Sequence, residues 1–373
     1  MKKILFLASL AAVAMTSCTS ESNEYVGDNT PKEIAFMPVA TPTTRAAAYN
    51  AVPSTGFPEN YVMQVSANVN AAGAYFNDIT FAKGDGTTWK GSPAQYWPLS
   101  ASTLNFLAVT EWPSTYSKDV VTTTFTNSRA DGATVVLGDN SPSTVNSQAG
   151  SQHDLMYAVG RGIVTQSGNT LTYTGNSAGN AAPVDMVFKH ALSWVTFTVQ
   201  TAASYSGFKL NSITLHNAYY GGTYTLDNSA NKNYTYDGST YTDKTPTAIT
   251  GTWDDGNAET NTLTNQGASV VVPGWTSGTA LSTTPATVGN GLIIVPTYGL
   301  TPAANSFTGF TISYEFNNQT FTYTHTENIT VEQAKKYTYA ITFTLTEIEI
   351  NPSVTEWTPV AATDVDVPAT PAP

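Results

Sequence analysis

The sequence has almost no cysteine. One residue, Cys18, stands in a chain of 373, which excludes an internal disulfide framework and any zinc site built on cysteines. Charge is scarce as well: Asp, Glu, Lys and Arg make up 11% of the residues, where a soluble domain usually carries about 25%. The balance of −12 leaves no basic surface to neutralise phosphates, so nucleic acid is not a partner. There are four histidines, His153, His190, His216 and His325, none with a second histidine at ligand spacing. A phosphate-binding loop, a glycine-rich dinucleotide loop and an EF-hand loop are all missing. No long segment carries an apolar stripe of period 3.6. The space is filled by Thr, Ser, Asn, Gly, Tyr and Ala, which make a neutral, hydroxyl-rich surface of the kind extracellular β proteins present.

Catalysis finds little support. His190, Asp185 and Ser193 are the residue types of a triad, but they lie on one extended stretch whose side chains alternate faces and cannot converge. Asp254 and Asp255 in "WDDGN" suit a solvated turn better than a cation site. The Trp and Tyr residues could form a sugar platform, yet most sit in step with other apolar residues, which favours the core. The expectation is a protein that is not an enzyme and uses no cofactor and no metal.

The first residues point to export. Lys2 and Lys3 precede an apolar run from Ile4 to Met15, which is a secretory signal too short to span a bilayer. Cys18 follows Met15-Thr16-Ser17, an arrangement that resembles a bacterial lipobox, with Met15 where Leu is usual. That resemblance implies acylation of Cys18, palmitate included, and attachment to the outer membrane; the alternative is plain cleavage that leaves Cys18 a free thiol. Ser20, Glu21 and Glu24 resemble the surface-export signals of gut Bacteroidetes lipoproteins.

Beyond the leader, period two dominates. Tyr337, Tyr339, Ile341, Phe343 and Leu345 alternate with small or polar residues, as on a half-buried strand. Phe310, Ile312, Tyr314 and Phe316 repeat the pattern, Asn317-Asn318 offers a turn, and Phe321 and Tyr323 return. Asp85-Gly86, Asp237-Gly238 and Asn290-Gly291 are further turn signals. "ENITVEQAKKYTY" has room for one helical turn. In "VDMVFKHALSWVTFTVQ" the apolar phase shifts between Phe188 and Val195, which predicts a bulge or bend near His190–Ser193. The fold class is all-β, with two sandwiches in tandem. The expected division is a signal at 1–17, a propeptide at 18–45, sandwiches at 46–180 and 181–350, and a Pro-rich tail at 351–373 outside them.

Several segments together resemble the fimbrillin family of Bacteroidetes, the FimA/Mfa-like pilins of type V fimbriae. They are "WKGSPAQYWPLSASTLNFLAV" from Trp89, "HDLMYA" from His153, "MVFKHALSWVTFTV" from Met186, "LIIVPT" from Leu292 and "KKYTYAITFTLTEIEINPSVTEW" from Lys335. The resemblance implies transthyretin-like seven-stranded sandwiches in a precursor that is lipid-anchored during export, then cleaved and polymerised at the cell surface as part of a fimbrium. Its partners would be other pilin subunits and an arginine-specific protease, with a host glycan or protein as the target of adhesion.

One arginine then acquires meaning. "EIAFMPVA" predicts a first strand with Ile34, Phe36 and Val39 as its apolar residues and Pro38 at an edge or an early break. "TPTTRAAAYN" follows, small and uncharged except for Arg45, as in an accessible protease-sensitive linker. By sequence alone Arg45 is sooner a surface residue without a role; with the resemblance it becomes a cleavage site, Arg45–Ala46. Cutting there would remove the first strand and leave a slot for a neighbour's strand. The donor candidates are Val360, Val365 and Val367 in the tail, which alternate with Asp364 and Asp366. The competing reading is a tip adhesin, or a glycan-binding surface lipoprotein that never polymerises and keeps its propeptide.

Overall fold

The structure is a computed structural model, and it describes residues 31–39, 61–71, 73–84, 88–111, 121–142, 152–175, 183–205, 207–232, 246–253, 268–297 and 307–357. The first half contributes β1 (Ala35–Val39), β2 (Val62–Val69), β3 (Gly73–Lys83), β4 (Trp89–Ser92), β5 (Ser102–Glu111), β6 (Val121–Phe125), β7 (Gly132–Leu137), β8 (Met156–Ser167), β9 (Thr170–Gly175), β10 (Val184–Val187) and β11 (Lys189–His190). The second contributes β12 (Ser193–Thr201), β13 (Lys209–Ala218), β14 (Gly222–Asp227), β15 (Thr252–Trp253), β16 (Ala268–Val271), β17 (Thr279–Ala280), β18 (Ala286–Thr287), β19 (Leu292–Ile294), β20 (Phe307–Phe316), β21 (Gln319–Ile329), β22 (Lys335–Phe343) and β23 (Ile348–Glu356). The single α-helix among the described residues is one turn, Ser229–Lys232. The protein is all-β, built as two sandwiches in tandem.

In the first half a nine-stranded sheet runs β10-β1-β4-β3-β2-β5-β8-β11, with β9 also on β8. It rolls far enough for β10 to lie over β8. A Cβ at Gly160 would stand 2.4 Å from the Met186 sulfur, so only glycine allows that approach. Strand β5 is buried along almost its whole length. Leu104, Phe106 and Ala108 face the rolled interior, while Leu107 and Val109 face a second sheet. That second sheet is β15-β14-β7-β6, and half of it comes from beyond residue 221. In the second sandwich the sheets β18-β12-β22-β23 and β16-β13-β20-β21, with β19 on β12 and β17 on β13, enclose Phe197, Ile213, Phe310, Tyr339 and Phe343. The turn Asn317–Asn318 has φ of 52° and 62°, the left-handed geometry that asparagine tolerates in a tight hairpin.

Several expectations need correction. Of the bulge or bend expected near His190–Ser193 the structure has the bend, at Ala191–Leu192, but it does not lie within one strand: β10 and β11 belong to the first sheet and β12 to the second sandwich, so the chain changes sheets there. Val184, Met186 and Phe188 therefore fill the first core, past the expected boundary at 180. The strand β14, which pairs with β7, crosses that division in the other direction. Residues 351–357 are not a loose tail: Pro352 lies in the edge strand β23, and Trp357 is 1% exposed. Leu345 falls in a turn after β22 ends and is exposed. The segment after Glu327 finishes a strand and turns at Gln333–Ala334 without a helix. The turn signals at 85–86 and 237–238 lie outside the described residues.

The halves meet in a shared core. It takes Leu107, Val135, Tyr157 and Tyr224 from the first sandwich and its covering sheet, and Leu192, Trp194, Ile293, Val295 and Trp357 from the second. At its centre Nδ1 of His190 lies 3.1 Å from Oδ1 of Asp154, both side chains fully buried. The nitrogen donates, since a carboxylate only accepts. The His190 ring stacks on Trp357, 3.8 Å between centroids. Gln152 clamps the backbone of Ile293 from both ends of its amide, at 2.7 and 2.8 Å. Gln333 donates to the Tyr224 hydroxyl at 2.8 Å and the His190 carbonyl at 3.2 Å. Removing the Asp154 carboxylate strands a buried partner and should cost about 3–5 kcal/mol. Trp357→Ala should cost a similar ~3–5 kcal/mol. Because both touch His190, the double variant should cost less than the sum in urea denaturation; strict additivity would mean that the contacts are independent.

Next to Asp154, burial pushes His153 down to about 3 from 6.5, with its Nε2 3.2 Å from the Thr110 carbonyl. The folded chain holds this ring neutral while the unfolded chain protonates it below 6.5. Stability should therefore be unaffected by His153 above that pH. Below it, stability should fall by about 1.4 kcal/mol per pH unit until about pH 3. Urea titrations of the wild type and His153→Gln between pH 7.5 and 4.5 measure this, the variant showing the shallower slope.

Candidate functional site: the first strand and its slot

The sequence asks most of β1, and the structure seats it inside a sheet. One edge pairs antiparallel with β4 at Ala35–Lys90 and Phe36–Trp89. The other pairs parallel with β10, from Phe36–Val184 to Val39–Val187. So β1 is a middle strand, not an edge strand. Pro38, which has no N–H to offer, lies past the end of the β4 ladder, where β10 is its neighbour.

Side chains follow the period-two expectation. Ile34 and Phe36 are fully buried. Phe36 meets Phe81 at 4.7 Å and Phe106 at 5.0 Å between ring centroids, both edge-on, the arrangement aromatic quadrupoles prefer. Upstream, Ile34 N–H donates to the Gln95 carbonyl at 2.7 Å, and Trp97 N–H donates to the Lys32 carbonyl at 2.9 Å. Lys90 pairs with Glu33 at 3.2 Å, and the Lys32 ammonium lies 5.8 Å from the Tyr173 ring. Burying the two apolar side chains contributes about 1.5–3 kcal/mol each, and each backbone bond about 1 kcal/mol.

The wall that grips β1 is the segment with the Trp…Tyr-Trp-Pro pattern. Trp89 sits opposite Phe36, Tyr96 bridges Glu33, and Trp97 packs on Phe106 and Tyr173. Sequence reasoning used these residues for a resemblance; the missed signal was that they form the first strand's lining. Of the residues singled out, Ile34 and Phe36 come together in the slot, joined by the backbone of Val39. The side chain of Val39, and Cys18, Arg45, Ala46, Asp254, Asp255, Val360, Val365 and Val367, lie outside the described residues. His190 does not join Asp185 or Ser193: it pairs with Asp154, and Ser193 Oγ donates to the Glu332 carbonyl. Among the described residues no three His, Cys, Asp or Glu side chains gather as metal ligands would.

The architecture is a pair of β-sandwiches whose first strand is lodged between two others. A model of the fimbrillin-like family matches residues 44–357, and the chain belongs to that family. This makes it a fimbrial subunit or adhesin of the cell surface, working with other pilin subunits. Similar solved structures include a fimbrial protein from Bacteroides vulgatus, at 13% identity over 87% of this chain and 99% of that one, with a TM-score of 0.45. A Bacteroides uniformis protein assigned to cell adhesion shares 15% identity over 87% and 99%, with a TM-score of 0.44. The fimbrial anchor protein Mfa2 from Porphyromonas gingivalis shares 10% over 88% and 98%, with a TM-score of 0.31. No curated protein matches the chain.

Phe36→Ala in the intact chain should lower stability by about 3–5 kcal/mol, read as a shift of the urea midpoint at constant m-value. A change below 1 kcal/mol would mean that the strand is not held by this ring.

Proposed function

We propose that the chain is a structural subunit of cell-surface fimbriae, exported as a lipoprotein on Cys18, cut between Arg45 and Ala46, and polymerised by donor-strand exchange for adhesion. The observation that carries this reading is the position of β1 between β4 and β10, with Ile34 and Phe36 fully buried. Removal of that strand opens a slot flanked by two backbone edges and floored by Phe81 and Phe106. The family match begins at residue 44, beyond β1, which agrees with a mature chain that starts near Ala46.

The incoming strand comes from the tail of a neighbour, whose apolar residues are Val360, Val365 and Val367; Val365 and Val367 share a face and enter the places of Ile34 and Phe36. A strand held by backbone bonds on both sides leaves only by unzipping, so the fibre is kinetically stable. The contact is head-to-tail and does not close, which gives an open filament. A protease specific for arginine and the outer membrane are the partners of the precursor. Cleavage distinguishes this reading from a lipoprotein that keeps its propeptide.

Two measurements test the scheme. The mature N-terminus of assembled protein should be Ala46, and Arg45→Ala should accumulate as lipidated, unpolymerised precursor. Deleting residues 358–373 should leave a folded monomer that accepts a strand but does not extend a fibre. Wild-type fibre yield from Arg45→Ala removes the cleavage step, and normal fibre length after the deletion removes the tail as donor.

A further inference from the structure

The far end of the second sandwich is open. β21 is the last strand of its sheet, and Phe321 and Tyr323 sit opposite Tyr314 and Ile312 on the face turned toward the other sheet. Phe321 is nevertheless 40% exposed. The facing wall is the turn between β22 and β23, held rigid by Thr344: its hydroxyl donates to the Glu347 carbonyl and accepts from the Glu347 N–H, both at 2.8 Å. Between them lies a cleft of about 570 Å³, a size usual for small-molecule sites.

Its chemistry narrows the occupant. Tyr314 and Phe321 stack on each other, 5.6 Å between centroids and 24° between planes, and Phe321 is the ring that stays exposed. Phe208, Phe316, Phe343, Leu345 and Ile348 make the rest of its apolar wall, and Tyr323, Thr344, Thr346 and Glu347 add polar groups. Among the described residues no Lys, Arg or His lines the cleft, and Glu347 is its one charge. An anionic ligand meets a carboxylate with no cation to offset it. A neutral pyranose matches both features: its C–H face stacks on an aromatic ring, and its peripheral hydroxyls exchange hydrogen bonds with phenol, hydroxyl and carboxylate groups.

We propose that this cleft binds a neutral glycan through stacking on the exposed Phe321 ring, backed by Tyr314, and hydrogen bonds to Tyr323 and Glu347. The inference names a ligand for the adhesion part of the proposed function and rests on it only there. Binding is measured on the uncut monomer, so its failure leaves cleavage and strand exchange untouched.

The test is saturation-transfer NMR and titration with lactose, N-acetyllactosamine and mannotriose, against sialyllactose and a synthetic peptide of residues 358–373. Transfer to at least one neutral sugar is expected. Phe321→Ser with Tyr323→Ser should weaken binding by about tenfold or more, while Val136→Ser, at an exposed position of β7, leaves it unchanged. Glu347→Gln, at an exposed turn that does not hold the fold, should raise the relative binding of sialyllactose. The proposal is overturned by no transfer to any neutral sugar. It is equally overturned by transfer that survives the Phe321/Tyr323 change, or by a cleft that takes the peptide and not the sugars.

Discussion

A strand flanked on both sides is held differently from one added to an edge. β1 is the ladder neighbour of β10 within the first sheet and separates it from β4. Without β1 the backbone groups of β10 and β4 that face it lose their partners, in a setting where unpaired buried groups are costly. The floor beneath, Phe81 and Phe106, would meet water. The rest of the first sandwich is therefore complete only when some extended segment occupies that place. Geometry also sets a direction: a replacement that keeps the present ladders must run parallel to β10 and antiparallel to β4.

The second constraint joins the halves. The His190–Asp154 pair, the Trp357 ring and the Gln152 and Gln333 amides are buried polar groups inside an otherwise apolar junction. Such groups tolerate one arrangement, because any slip leaves a charge or an amide without a partner. The covering sheet, half from each part of the chain, adds a backbone link between the same halves. The junction between the halves is therefore held against hinging. This follows from the density of directional bonds rather than from buried area alone.

The sequence made much of this legible, and the failures are instructive. Period two marked β20, β21 and β22 because each has one face on a core and one toward solvent. It fell short at β5, which is buried on both faces, and at Phe188–Val195, where an apolar run serves two sheets in succession. Nothing local marks a change of sheet; only the parity slip hints at it, and a bulge would give the same slip. Pro352 made β23 look like tail, yet proline is tolerated at an edge, and the buried Trp357 beyond it was the better signal. For the slot, Ile34 and Phe36 were readable from alternation. That β1 is a middle strand was not, because its neighbours β4 and β10 are far apart in the chain.

Trp357 ties the last described strand to the end of the slot. Its ring lies on His190, just after β10 ends, and β1 runs parallel to β10 toward that same end. Val187, the last partner of β1 on β10, and His190, which carries the stack and the Asp154 contact, belong to one short stretch of backbone. The ladder that holds β1 and the polar junction between the halves are therefore anchored on the same few residues, and neither can shift far without straining the other.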